Sequence, residues 1–262
     1  MSHKIAFVTG ATGAIGKAIA SIIAENDDYE VVLICRNEDK ARSAVSDIKN
    51  KTGNTKLSYE LVDLSRWESI DLLARKWKKP IHVLVNNAAI TPRRREETQK
   101  GIEMQFATNV LGYFWMIKVF EENLINSSPS RIVNVASYWA GDLDFDDLEF
   151  KKRPYDNNTA YRQSKQADRM LTLAFSERLK DYNVTVNACH PGDVNSKLSN
   201  DLGFGGHETP RQGADTPSWL AINDIGKENT GKYFENRRIV QCTFSKNHKL
   251  VDKLYKICDK YI

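Results

Sequence analysis

Cysteine is scarce in this chain: Cys35, Cys189, Cys242 and Cys258 stand far apart in 262 residues. No C-x-x-C pair and no histidine at ligand spacing accompanies them, which excludes a disulfide framework and a zinc site. No metal is therefore expected. Seven prolines and 14 glycines are too few for a collagen-like or low-complexity chain. No stretch approaches the ~18 consecutive apolar residues that a membrane span requires. The longest uncharged one, 104–117, is broken by Gln105, Thr108, Asn109 and Gly112. The opening MSHKIAFVTG holds no hydrophobic signal segment. Charge of one sign is lacking as well. The 38 basic and 34 acidic side chains leave a net +4, and no basic stripe interleaved with aromatics is present, so nucleic acid is not an expected partner. Together these absences predict a soluble, cytoplasmic protein with no membrane anchor.

What is present is alternation. Val- and Ile-rich runs at 4–9, 29–35, 56–62, 81–85, 131–136 and 183–188 are five to seven residues long. Near-continuous apolar runs of that length suit strands buried on both faces of a parallel sheet. Helical patterns fall between them at 14–26, 38–50, 66–78, 98–124 and 159–181. The alternation predicts βαβ units in an α/β fold, a doubly wound parallel sheet with helices on both faces. No linker or repeat interrupts it, so residues 1–262 read as a single domain. Toward the end, 203–206 reads as a flexible loop, 213–222 as a short helix and 231–234 as a last strand. Over 249–262, Leu250, Leu254, Ile257 and Tyr261 recur at helical spacing and predict a closing amphipathic helix.

The first strand runs directly into Gly10-Ala11-Thr12-Gly13-Ala14-Ile15-Gly16 and then a helical pattern. Glycines there permit a tight turn and close backbone approach to a pyrophosphate at a helix N-terminus. The second strand ends Ile34-Cys35-Arg36-Asn37, with no carboxylate before Glu38. A carboxylate at that point would bond a free ribose 2′-hydroxyl, whereas an arginine accommodates a 2′-phosphate. Arg36, with Lys17 nearby, therefore points to NADP(H), with NAD(H) as the alternative.

These residues identify the chain as similar to the short-chain dehydrogenase/reductase superfamily, from Lys4 to its end. The glycine motif reads equally as G-x-x-G-x-x-G or as T-G-x-x-x-G-x-G with Ala14 in the middle glycine's place. Asn86-Asn87-Ala88-Ala89 resembles the N-N-A-G signature of the compact, one-domain branch, with Ala89 for glycine. Within that branch the chain looks most like the retinol-dehydrogenase-like and WW-domain-oxidoreductase-like group. The shared features are Cys35-Arg36, the run from Gly101 through Glu103, Asn109 and Gly112 to Phe114, and the long spacing from Ser137 to Tyr161. The absence of an N-terminal anchor departs from the membrane-bound members and makes lipid-embedded retinoids unexpected substrates.

The resemblance implies a Rossmann-type fold and a set of roles. Ser137 corresponds to the serine that bonds the substrate carbonyl, and Tyr161 with Lys165 to the Y-x-x-x-K pair. Asn109 corresponds to the asparagine that supports a proton-relay water. Around the cofactor the expected contacts are Gly10, Thr12, Gly13, Ala14, Ile15 and Gly16 in the first loop, then Arg36 and Asn37. Asp63 and Leu64 would lie near the adenine, Asn87, Ala88 and Ala89 near the ribose. Pro191, Gly192, Val194 and Ser196 would form the nicotinamide loop, with serine in place of the more usual threonine.

The chemistry needs these residue types. Tyrosine and lysine at i and i+4 share a helix face. A phenol with an ordinary pKa near ~10 gives up its proton more readily beside an ammonium. The pair can then exchange a proton with a substrate oxygen near neutral pH. Y-x-x-x-K alone occurs about once by chance in a chain with ten tyrosines. Its weight comes from the order of the motifs along the chain. The expected activity is thus hydride transfer between nicotinamide and a small carbonyl or alcohol substrate, by a monomer or homo-oligomer. The alternatives are a non-catalytic NADP(H) sensor and an extended-branch epimerase or dehydratase. Of the remaining features, Arg93-Arg94-Arg95 reads as a solvated loop and the acidic run 142–149 as surface. His190 reads as structural and 197–210 as a mobile lid. Tyr138 and Trp139 suit either pocket or core.

Overall fold

A computed structural model of the chain describes residues 3–262; the expectation for the extreme N-terminus at Met1 and Ser2 lies outside them. One eight-stranded sheet runs through the molecule in the order β3-β2-β1-β4-β5-β6-β7-β8. Its strands are β1 (Lys4–Thr9), β2 (Tyr29–Cys35), β3 (Leu57–Leu61), β4 (Val83–Asn86), β5 (Ser130–Val135), β6 (Val184–Cys189), β7 (Tyr233–Glu235) and β8 (Arg238–Val240). All pair in parallel except β8, which folds back antiparallel on β7. The expected doubly wound α/β architecture is present.

The helices are α1 (Ala14–Ala24), α2 (Glu38–Thr52), α3 (Trp67–Lys76), α4 (Gly112–Ile125) and α5 (Asn157–Leu179). Short helices α6 (Lys197–Asp201), α7 (Pro210–Gly213), α8 (Asp215–Ile222) and α9 (Ile225–Glu228) follow, and α10 (His248–Asp259) closes the chain. The period of two along each strand divides the apolar residues between two cores. Ile5 and Phe7 of β1 face the core built with α3, α4, α5 and α10, while Ala6 and Val8 face the one built with α1, α2 and α8. Each fully buried aliphatic or aromatic side chain contributes about 1.5–3 kcal/mol. Phe114 illustrates the density: it is 0% exposed, with the rings of Phe175 and Tyr255 at 5.2 and 5.1 Å.

Several expectations are corrected. The helix expected from 98 does not begin there: Thr98 and Gly101, the latter at φ +74°, form a turn, and the first helical residue is Met104. Phe106–Leu111 then winds as a π-helix into α4. On α10 the inward stripe is Val251, Leu254 and Cys258, and Leu250 is exposed. The acidic run is not all surface. Asp147 is buried because its carboxylate accepts from the N–H groups of Lys151, Lys152 and Arg153, and Glu149 because it accepts from the Glu103 N–H and the Tyr261 hydroxyl.

Candidate active site

The sheet order reverses direction between β1 and β4, and the carboxyl ends of those strands open the crevice where doubly wound sheets take ligands. The glycine loop leaves β1 there. Gly10 (φ +63°) and Gly16 are glycines for packing: a Cβ at Gly10 would lie 2.8 Å from the Ala88 Cα, and one at Gly16 2.4 Å from the Gly10 carbonyl oxygen. Gly13 is different, since a Cβ there would meet only the Gly10 oxygen, at 3.3 Å. It is the N-cap of α1, and no side chain caps that helix. The open Gly13 face and the uncapped first turn fit a pyrophosphate. A cavity of ≈ 320 Å³ lies alongside, lined by Thr12, Lys17, Asp39, Lys40, Ser43 and Ala44.

At the end of β2, Arg36 is exposed and forms no ion pair among the described residues. Lys17 is held by Asp47. Glu38, the nearest carboxylate, is occupied by the Arg42 guanidinium at 2.6 Å and the Tyr59 hydroxyl at 3.1 Å. Asn37, expected to face the cofactor, caps α2 by accepting from the Lys40 N–H at 2.9 Å. Asp63 likewise has one carboxylate oxygen bonded by the Ser65 N–H and hydroxyl. Leu64 is buried beneath α4, where Gly112 allows its carbonyl to approach.

Thr9, the first residue of the glycine motif and one to which the sequence assigned no role, fixes the β4 loop. The Thr9 hydroxyl accepts from the N–H groups of Asn87 (2.8 Å) and Ala88 (3.1 Å), and the Asn87 amide donates to the Thr9 carbonyl (2.9 Å). This clamp joins the Asn87-Ala88-Ala89 segment to the glycine loop. Further on, Asn109 sits inside the π-helical turn, where such turns are frequent at functional sites. Its amide exchanges hydrogen bonds with the Ile90 backbone at 2.9 and 3.1 Å and reaches the Ser164 hydroxyl at 3.3 Å.

Ser137 follows β5, and Tyr161 and Lys165 lie on the inward face of α5, which Asp156 caps. All three are buried. Burial pushes the Tyr161 phenol above its ordinary value, and the Ser137 hydroxyl beside it pulls the other way. The Lys165 ammonium stands 5.9 Å from the Tyr161 ring centroid. It donates to the Val135 carbonyl at 3.0 Å and to Asp168 Oδ2 at 2.9 Å. Asp168 was not expected; an acid three residues after a lysine reads in sequence as an ordinary solvated pair. Tyr113 lies beneath, with the Lys165 ammonium 5.0 Å from its ring centroid.

The residues expected to form the nicotinamide loop follow β6 at this end of the sheet. A bridge between Val194 and Glu208 uses the Asp193 carbonyl and the Asn195 N–H, leaving Val194's own N–H and C=O out of it. Gly192 lies against the Glu208 carboxylate at φ +101°, a backbone conformation that L side chains rarely adopt. Pro191 and Gly192 are half-buried, and Ser196 caps α6 through a reciprocal pair with Ser199. The segment expected as a lid contains one short capped helix, α6, and runs into a second, α7, whose Arg211 is tied to Glu25, the C-cap of α1, at 2.7 Å. Trp139 stands between Tyr161 (6.2 Å) and Phe204 (5.7 Å, edge-on), so it borders the cleft rather than the core. Tyr138 is half-exposed and edge-on to His190, whose pKa burial lowers to about 4.

Arg95 is bound to Glu97 and to the Glu149 carbonyl, and Arg93 lies 4.0 Å from Asp201 of α6. Among the described residues no group of His, Cys, Asp and Glu is arranged to hold a metal, and no helix is long and apolar enough to cross a membrane.

Comparison with known proteins agrees with this geometry. Residues 4–203 match the short chain dehydrogenase family. Retinol dehydrogenase 13 of Mus musculus is 36% identical over 255 residues, covering 90% of this chain and 76% of that protein. A probable oxidoreductase of Streptomyces antibioticus is 33% identical over 259 residues, covering 91% and 86%. Among solved structures, an uncharacterized protein from Mycobacterium Paratuberculosis superposes with a TM-score of 0.79 at 24% identity, covering 99% of this chain and 94% of that one. L-Sorbose reductase from Gluconobacter frateurii, solved with NADPH and L-sorbose, gives 0.71 at 19%, covering 94% and 98%, a likeness of fold alone. A family match over most of the chain and relatives above 30% identity converge with the fold: this chain belongs to the short-chain dehydrogenase/reductase family, in its retinol-dehydrogenase-like group, and is an oxidoreductase of that type.

Proposed function

We propose that residues 1–262 act as one NADP(H)-dependent unit that moves a hydride between nicotinamide and a carbonyl or alcohol substrate, with Tyr161 as general acid/base. The observation that carries this reading is the gathering of Ser137, Tyr161 and Lys165 at the carboxyl end of β5, in the same parallel sheet whose β1 leads into the Gly13 loop. NADPH, when bound, supplies the hydride. In reduction, Ser137 bonds the carbonyl oxygen as charge develops on it, and Tyr161 delivers a proton to the same atom. Lys165 has three donors, of which two are engaged by Val135 and Asp168; the third is available to a ribose hydroxyl. Exposed Arg36 with Glu38 already occupied favours a 2′-phosphate over a free hydroxyl. Trp139 and Phe204 give the cleft an aromatic rim suited to an apolar substrate body. The reading is of a cytoplasmic enzyme acting on a small molecule.

Tyr161→Phe tests the assignment. The variant should bind NADPH as the wild type does and lose at least about 100-fold in turnover on a panel of aldehydes and ketones, the span general acid catalysis contributes. Unchanged turnover with binding intact would refute it.

A further inference from the structure

Asp168 is the most deeply buried acid beside the proposed proton donor, its side chain 0% exposed. Its Oδ2 takes the Lys165 ammonium at 2.9 Å, while its Oδ1 has no hydrogen-bond partner among the described residues. A buried ion pair is costly to desolvate and is poor evidence for a stabilising device. A half-satisfied carboxylate is poorer still. The pair's position is more telling than its energy, because the same ammonium faces the Tyr161 ring.

We propose that Asp168 is a positioning residue for the Tyr161–Lys165 couple: it holds the lysine against the Val135 carbonyl and sets the pH at which Tyr161 can accept a proton from an alcohol. The proposal rests on the functional reading above. A lone ammonium would favour the phenolate strongly; an ammonium paired with a carboxylate presents a weaker field to it.

The groups facing Asp168 leave this arithmetic simple. From α5 they are Lys165 and Tyr161, from α4 Tyr113 and from α10 Cys258, while Cys189 of β6 faces Lys165. Burial pushes Tyr113 and both thiols above their ordinary values, so they stay neutral, and Lys165 is the charge that answers Asp168. Arg169, next along the helix, is turned away onto the Tyr233 ring and Glu235. Asp193 is the other acid acting on Tyr161. Burial pushes Asp168 up to about 6 against the pull of Lys165, so the carboxylate is ionised through the neutral and alkaline range.

The experiment compares wild type, Asp168→Asn and Asp168→Glu by ultraviolet tyrosinate titration, alone and with NADP+, and by the pH profile of kcat/KM for alcohol oxidation. The Tyr161 ionisation is identified as the one missing in Tyr161→Phe. In Asp168→Asn it should move down by about one pH unit, and the oxidation limb with it, giving roughly tenfold higher kcat/KM below the limb. Asp168→Glu, which keeps the charge, should stay close to wild type. An ionisation that holds its place or moves up in a folded Asp168→Asn protein overturns the proposal. If that variant does not fold, Asp168→Ser carries the same expectation. Retained turnover in Tyr161→Phe would instead defeat the catalytic reading, and the tyrosinate titration would still decide the role of Asp168.

Discussion

Glu103 offers a pH dependence large enough to measure. The residue is 1% exposed, and its two carboxylate oxygens accept from the N–H groups of Gln105 (2.8 Å) and Phe106 (2.7 Å) at the entry to the π-helical turn. Burial pushes its carboxyl up to about 7, from an ordinary 4.5, against those hydrogen bonds. A carboxyl whose folded value is raised stabilises the fold fully below its unfolded value, and that stability is lost as pH rises through the folded one. At 1.36 kcal/mol per pH unit, the gap between 4.5 and about 7 amounts to about 3 kcal/mol, lost between pH 4.5 and 7.5. Glu103→Gln cannot ionise. It also loses one of the two acceptors, about 1 kcal/mol at acid pH. Urea denaturation of both proteins at pH 4.5 and 7.5 should show the wild type more stable at the lower pH and the variant ahead by about 2 kcal/mol at the higher. A difference that does not change with pH would refute the argument that this acid is held protonated by burial.

Other consequences are open to test. Arg36→Ala should weaken NADPH binding roughly 10- to 100-fold, the worth of a charge-assisted contact, and leave NADH binding nearly unchanged in a parallel fluorescence titration. Equal effects on both cofactors would count against Arg36 as the phosphate reader. Phe114→Ala empties a site that is 0% exposed and should cost about 3–5 kcal/mol, lowering Tm by roughly 10 °C in a calorimetric scan. A change under about 1 kcal/mol would mean that α10 and α5 close over the cavity.

The sheet was legible because its strands are short Val- and Ile-rich runs with no competing pattern, and β1, β2 and β4–β6 fall where those runs stand. β8 was not, since three residues carry no periodicity and their pairing depends on the turn at Asn236 and Arg237, both at positive φ. The start of the helix after 98 failed for a different reason: the Thr98–Ile102 turn is closed by a local antiparallel bridge of Glu97 with Glu103, which the helical pattern does not register. The candidate site residues were picked out by their order along the chain, and the structure brings Ser137, Tyr161 and Lys165 to one place. Their supports were not. Thr9 looks like any strand-end hydroxyl until the β4 loop is laid against it, and Asp168 looks like a solvated charge until α5 is turned inward. Asn37 shows the converse, a residue at the right position whose side chain serves the helix that follows it.

Hydride transfer itself is tested most directly with NADPH deuterated at nicotinamide C4. Purified protein would be incubated with it and a panel of apolar aldehydes and ketones, and the alcohols analysed by mass spectrometry. The account predicts deuterium on the carbinol carbon of at least one product, and at least about 100-fold less of it in the same time with Tyr161→Phe. Tight NADPH binding with no label in any product across the panel would contradict it.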